Sequence, residues 1–196
     1  VDMKRTDIIN KLIKFHGYQS YLEIGVDDGI NIKAINIAEK TGVDPDPKTK
    51  IYYPEIISTT SDDFFKNNNK TFDIIFIDGL HHADQVYKDI YNSLHFLNSG
   101  GTIVLHDMLP TDEGMLAVPR IQSVWTGDCW QAFVTVRSEN KDLAMQVVNT
   151  DFGCGIICKG KQELISYKKL DYSSFVANKQ EWMNIISVDD FNKKFT

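Results

Sequence analysis

Tyr21-Leu-Glu-Ile-Gly-Val-Asp-Asp-Gly29 is the stretch on which the fold turns. Tyr21 to Ile24 is short and mostly apolar, as a buried strand is. Gly25 and Gly29 then turn the chain into a helix expected to run to Ala38. Glycines in such a turn let the backbone approach a ligand closely, because no side chain stands in the way. Thr41-Gly-Val-Asp44 ends a second strand, and Asp44 stands 21 residues beyond Glu23. In a strand-helix-strand unit, a carboxylate at that distance reaches a ribose and accepts hydrogen bonds from both of its hydroxyls.

The alternation continues on both sides. Residues 7–15 carry Ile8, Ile9, Leu12 and Ile13 at helical spacing, with Gly17 as a stop. Residues 55–59 read as a weak third strand, and Ser61 as the cap of a short helix through Lys66. Phe72-Asp-Ile-Ile-Phe-Ile77 has the continuous apolarity of a parallel strand covered on both faces. Val86, Ile90, Leu94 and Leu97 make one helix face, and Gly100-Gly101 leads into a fifth strand, Thr102 to Leu105. Residues 108–126, with Pro110, Gly114 and Pro119, read as a substrate loop. Ala144 to Val148 and Gly155 to Cys158 read as a hairpin, and Tyr172 to Ile186 as a helix within a C-terminal tail, 160–196. The pattern predicts one α/β domain over residues 1–196. Its sheet is doubly wound, seven-stranded and mostly parallel, with an antiparallel C-terminal hairpin.

Composition narrows the partners. Hydrophobic residues at 42% and charged residues at 24% fit a soluble globule. Twenty-seven acidic residues against 21 basic ones give a charge of −6, which repels a phosphate backbone and argues against nucleic acid. No apolar run approaches the ~20 residues that span a bilayer, and no secretion signal opens the chain, so no membrane partner is expected. The three cysteines, Cys129, Cys154 and Cys158, form neither a CxxC pair nor an even framework; with a reducing environment, the expected compartment is the cytoplasm. Cys154 and Cys158 fall four apart on one strand and read as buried thiols on the same face. A small-molecule or glycan acceptor, and a homo-oligomer, remain compatible with this surface.

The turn also separates cofactor classes. A dinucleotide fold needs Gly-x-Gly-x-x-Gly to admit a pyrophosphate, and here Asp27 and Asp28 stand inside the loop, where they would repel one. S-adenosylmethionine (SAM) carries a sulfonium and an ammonium and no phosphate, so an acidic loop suits it. A dinucleotide-dependent oxidoreductase is thereby disfavoured. A nucleotide- or SAM-binding module without turnover is the other alternative, and Asp27-Asp28 also reads as a plain polar turn.

Five motifs now stand in order: Glu23-x-Gly25-x-x-x-Gly29, Gly42-Val-Asp44, Thr60-Ser-Asp-Asp-Phe-Phe65, Phe72-Asp-Ile-Ile-Phe-Ile-Asp-Gly-Leu-His81 and Gly100-Gly-Thr-Ile-Val-Leu-His-Asp107. Together they resemble the class I SAM-dependent methyltransferases. The likeness is greatest to the small metal-assisted O-methyltransferases of sugars and secondary metabolites, well over residues 18–110 and loosely near 143–159. The resemblance implies that Glu23, Gly25 and Gly29 line the methionine and ribose, that Asp44 holds the ribose hydroxyls and that Asp78 belongs to the same cofactor-binding set. It further implies that Ser61 and Asp62 meet the adenine edge, although Ser61-Asp62-Asp63 is equally a capped, acidic first helical turn. The family loop often has glycine where this chain has Asp27.

A second constellation is Asp78-Gly-Leu-His81-His82 with His106-Asp107. Strands four and five are neighbours in this topology, so Asp78 and Asp107 emerge together at their carboxyl ends. Two converging carboxylates repel unless a cation or proton joins them, and a Mg²⁺-type ion suits oxygen ligands. His106 joins Asp78 and Asp107 as a metal ligand only if the strand has already broken, because neighbours along a strand point to opposite faces. An alcohol acceptor must lose a proton, and His81, three residues past Asp78, is the candidate base, with His82 as the fallback. His16 and His95 lie on helices with no such neighbours. Trp125, Trp130 and Arg120 suit a sugar or aromatic acceptor, or simply the core.

Overall fold

A computed structural model describes residues 2–49 and 56–196. Its sheet has eight strands in the order β3-β2-β1-β4-β5-β7-β6-β8. The parallel half comprises β1 (Ser20–Ile24), β2 (Glu39–Asp44), β3 (Ile56–Ser58), β4 (Phe72–Ile77) and β5 (Leu97–Leu105). β6 (Leu143–Val148) and β7 (Cys154–Lys159) form the antiparallel hairpin, with β7 against β5. Of the expected third strand, Glu55 lies outside the described residues. The hairpin places Cys154 in the buried interior and Cys158 at an intermediate position, both free thiols.

Two apolar layers cover the sheet because alternate residues of each central strand point to opposite faces. Leu22, Ile24, Ile75, Ile77, Ile103 and Leu105 pack on one side, under α3 (Ser61–Asn67), α4 (Ala83–Phe96) and α5 (Cys129–Glu139). Tyr21, Ile74, Phe76 and Val104 pack on the other, under α1 (Arg5–His16), α2 (Ile30–Ala34) and the later α7 (Val188–Lys194). Among the described residues, no helix is long and apolar enough to cross a membrane.

Several boundaries differ from the sequence reading. α2 stops at Ala34, four residues short of Ala38, because Asn10 of α1 intercepts its end. The Asn10 amide donates to the Ala34 carbonyl at 2.9 Å, and its oxygen accepts from Asn36 N at 2.7 Å. The cap of α3 is Thr60 rather than Ser61: its hydroxyl accepts from Asp63 N, and Ser61 is the first helical residue. Leu97 leaves α4 and pairs with Phe72 at the start of β5. The C-terminal helix α6 (Tyr172–Met183) ends at Asn184 in the left-handed conformation, and Ile185–Ile186 become an eighth strand beside β6. α5 is an element the sequence reading passed over. Residues 108–126, read from the sequence as a loop, contain one short 3-10 turn, Glu113–Leu116.

Strand order reverses at β1, which has β2 on one side and β4 on the other. The crevice outside the carboxyl ends of these strands is where open α/β sheets bind ligands. It is lined here by both constellations read from the sequence, Gly29 and His82 excepted.

Candidate active site

A cavity of about 1080 Å³ opens at that crevice, just above the usual size range of small-molecule sites. Its floor is the turn after β1. Gly25 has φ +87°, and a Cβ there would lie 2.0 Å from the Asp78 carbonyl oxygen, so no side chain fits. Gly29, at φ +76°, would place a Cβ 2.3 Å from the Thr49 side chain. Asp27 has φ +47°, a left-handed backbone that glycine adopts freely and aspartate more readily than most residues. The departure from the family loop is therefore accommodated with the same backbone hand that glycine would use.

Asp44 braces this turn. One carboxylate oxygen accepts from Val26 N and Asp27 N, both at 2.9 Å, and the other accepts from Asp46 N at 2.8 Å. Glu23 is 1% exposed and accepts from the Tyr21 hydroxyl and from the Asn31 amide at 2.9 Å. Burial pushes its carboxyl up to about 7, against the pull of those two donors. Ser61 and Asp62 line the cavity, tied by the Gln85 amide, which reaches Ser61 Oγ at 3.1 Å, Asp62 Oδ1 at 3.0 Å and the buried Asp89 at 3.1 Å. Burial raises Asp89 to about 6.

The acidic cluster sits at the other end. β5 ends at Leu105, and Asp107 takes φ +63°, so the strand has broken and His106 and Asp107 both turn toward Asp78. His81 Nε2 lies 3.3 Å from Asp78 Oδ1 and 3.4 Å from Asp107 Oδ2. His106 Nδ1 lies 3.1 Å from Asp107 Oδ1 and 3.6 Å from Asp78 Oδ1. Burial opposes charge throughout the cluster, yet pairing prevails. The imidazoles of His106 and His81, with the Arg5 guanidinium, hold Asp78 well below the usual carboxylate range. The carboxylates in turn raise both histidines, His106 strongly.

Two further residues complete the cluster, and sequence reasoning missed both. Arg5, at the start of α1, donates to Asp78 Oδ2 at 2.8 Å and, from Nε, to Asp151 Oδ2 at 2.9 Å. Asp151 sits in the β6–β7 turn at φ +47°, facing His106 Nε2 at 3.5 Å. No local signal marks either one, since Arg5 opens an ordinary amphipathic helix and Asp151 occupies an ordinary turn. Trp125 roofs His81, its ring 5.0 Å from the imidazole and inclined by 27°. Trp130 is fully buried against Phe175 and Trp182 and belongs to the core. His82 precedes α4 and lies outside the cavity wall, as do His16 and His95.

Asp78, His81 and Asp107 can each offer one ligand atom, all within 4.8 Å of one another, and His106 stands beside that group rather than within it. The donor set fits a divalent ion: two carboxylate oxygens and an imidazole nitrogen, with both His106 nitrogens and His81 Nδ1 buried and lacking well-formed hydrogen bonds.

Comparison with known proteins bears on the same region of the chain. A sequence profile described as a methyltransferase domain matches residues 22–108. No curated protein sequence matches the chain. Among solved structures, an O-methyltransferase from Bacillus cereus in complex with S-adenosylhomocysteine (SAH) is 14% identical, covers 80% of each chain and has a TM-score of 0.56. An SAH-bound methyltransferase from Podospora anserina is 17% identical, covers 80% of this chain and 78% of its own, and has a TM-score of 0.61. A Streptomyces achromogenes O-methyltransferase involved in tomaymycin synthesis, in complex with SAM, is 12% identical over 79% of each chain, with a TM-score of 0.59. At these identities the likeness is one of fold, and the matched domain falls on the five motifs and on the cavity they build. Residues 22–108 of the chain thus match a methyltransferase domain, and the fold around them is that of solved SAM-dependent methyltransferases.

Proposed function

We propose that the chain transfers the methyl group of SAM to a hydroxyl of a sugar or other small metabolite. The observation that carries this reading is the juxtaposition, in one cavity, of a glycine-built, carboxylate-braced turn and the cluster Asp78–His81–Asp107. In this reading Glu23, Gly25, Gly29 and Asp44 hold the methionine and ribose, Ser61 and Asp62 meet the adenine, and Asp78 closes the methionine end. His81, which in this reading stays outside the ligand set, takes the proton of the acceptor hydroxyl at Nε2. The oxygen then bonds to the methyl carbon as the carbon–sulfur bond breaks, and the bonding pair returns to sulfur, leaving SAH. Such a displacement depends mainly on alignment, and proton removal adds about 10²–10⁴-fold. A divalent ion held by Asp78 and Asp107, with His106 at its edge, would acidify the hydroxyl. The residues around it do the rest: Arg5 fixes one oxygen of Asp78, and Trp125 fixes the plane of His81.

Calorimetry with SAM and with SAH tests this reading. Binding of both is expected, with a rise in melting temperature. No heat and no thermal shift at millimolar concentration would remove its basis.

A further inference from the structure

α4 buries a carboxylate on the face that packs against the core. Its buried residues are Val86, Asp89, Ile90 and Ser93. Asp89 is 1% exposed, and among the described residues no cation pairs with it; Lys88, its neighbour in sequence, pairs with Asp62 instead, at 3.6 Å. A buried carboxylate without a counter-ion is costly, and neutral donors have to compensate it. The Ser61 hydroxyl and the Gln85 amide are those donors, both opposing the effect of burial on Asp89.

Gln85 stands one turn ahead of Asp89 on the same helix and lines the cavity with Ser61 and Asp62. Its Nε2 lies 3.1 Å from Ser61 Oγ, 3.0 Å from Asp62 Oδ1 and 3.1 Å from Asp89 Oδ1. An amide nitrogen carries two hydrogens, and here three oxygens compete for them. Turning the amide over would set its oxygen against two carboxylates, so the nitrogen stays where it is. The other end, Oε1, is thereby fixed as an acceptor. Among the described residues it receives no hydrogen bond, and it is not sealed from solvent. The Asp62 carboxylate is a second acceptor on the same wall. An exocyclic amine on a purine offers two hydrogens to such a pair, whereas an oxo group in its place offers only lone pairs.

We propose that Gln85 is a specificity residue: held by Ser61, Asp62 and Asp89, it turns Oε1 to the base of the cofactor, so that an amino purine is accepted and an oxo purine refused. The inference rests on the methyl-transfer reading of the same cavity and adds a residue to its base-binding end. A site built around a hydrogen bond rejects the analogue that lacks it far more strongly than an apolar pocket rejects a change of size.

Two pairs of probes test it. SAH and S-inosylhomocysteine differ in carrying an amine or an oxo group on the base, and adenosine and inosine differ likewise without the methionine part. Calorimetry for the first pair and protein-observed NMR for the weaker second pair, both on the full chain, are expected to find the amino member bound at least about tenfold more tightly. Gln85→Met keeps the length but not the acceptor, and is expected to cut that preference by about fivefold or more. Gln85→Glu keeps an acceptor oxygen whether or not it takes up a proton, and is expected to hold the preference within about threefold of wild type. Both changes remove the amide that ties α3 to α4, so a merely structural role would move the two variants together. Equal binding of the amino and oxo members, a preference that survives Gln85→Met, or one lost in both variants overturns the proposal. Failure of SAH to bind while adenosine is still preferred to inosine overturns the methyl-transfer reading alone, and no binding of SAH or of either nucleoside overturns both.

Discussion

Replacing Glu23 by Gln should change how stability depends on pH, by an amount set by the burial of this one carboxyl. In the folded chain Glu23 is 1% exposed and is pushed up to about 7, whereas its ordinary value is 4.5. Between those values the unfolded chain has lost the proton and the folded chain still holds it. Stability therefore falls as pH rises through this window, and the full penalty is in place once pH exceeds the folded value. The gap of roughly 2.5 units, at 1.36 kcal/mol each, is on the order of 3 kcal/mol. Glutamine cannot ionise, and its oxygen can still accept from Tyr21 or Asn31, so Glu23→Gln should lack this dependence while keeping the fold. Urea unfolding of both proteins at steps from pH 5 to pH 8 gives the difference in stability. The histidine cluster contributes to both proteins alike and cancels from it. The wild type should lose most of those 3 kcal/mol relative to the variant across the range. A difference that stays flat would mean that Glu23 is already ionised at pH 5 and that its burial is offset by its hydrogen bonds.

Other changes probe the turn and the acidic cluster. Asp44→Ala removes the acceptor for three backbone N–H groups, so SAH affinity should drop by about 10–100-fold and stability by about 2 kcal/mol; an unchanged dissociation constant in a folded variant would move the ribose elsewhere. Gly25→Ala drives a methyl into the Asp78 carbonyl at a left-handed position, and calorimetry should find at least several kcal/mol of lost stability. His81→Ala should lower turnover by about 10²–10⁴-fold and leave SAM affinity nearly unchanged. Asp107→Ala should abolish both activity and its response to added Mg²⁺, and activity that survives EDTA and dialysis would show that the carboxylates work without an ion.

The central strands were legible because burial on both faces leaves them as uninterrupted apolar runs, Phe72 to Ile77 above all. Asp78 and Asp107 followed from topology, since adjacent parallel strands must release their ends together. α5 was not legible for the opposite reason. Trp130, Ala132, Phe133, Val134 and Val136 are all buried, so the helix carries too little polar contrast for a period to show. The end of α2 depends on Asn10, 24 residues upstream, and no local pattern contains it. Arg5 reaches Asp78 across 73 residues of sequence, and Asp151 enters the cluster only because the hairpin turn folds back over β5. Long-range ion pairs leave no trace in periodicity; only the folded chain shows them.

The two-residue strand Ile185–Ile186 has a consequence for the solution behaviour of the chain. A sheet edge with free N–H and C=O groups is a template for a second molecule. β6 would be such an edge. Val147 N and Asn149 N instead donate to the carbonyls of Asn184 and Ile186, at 3.3 and 2.9 Å. Farther along, the Met145 carbonyl receives both the Asn184 amide and the Arg137 guanidinium at 3.0 Å. So few residues of backbone pairing, finished by side chains, leave no continuous ladder for another copy to extend. A chain ending at Met183 would expose Met145 to Val148 along that margin, together with the apolar layer under α7, and light scattering should then record self-association at concentrations where the full chain stays dispersed.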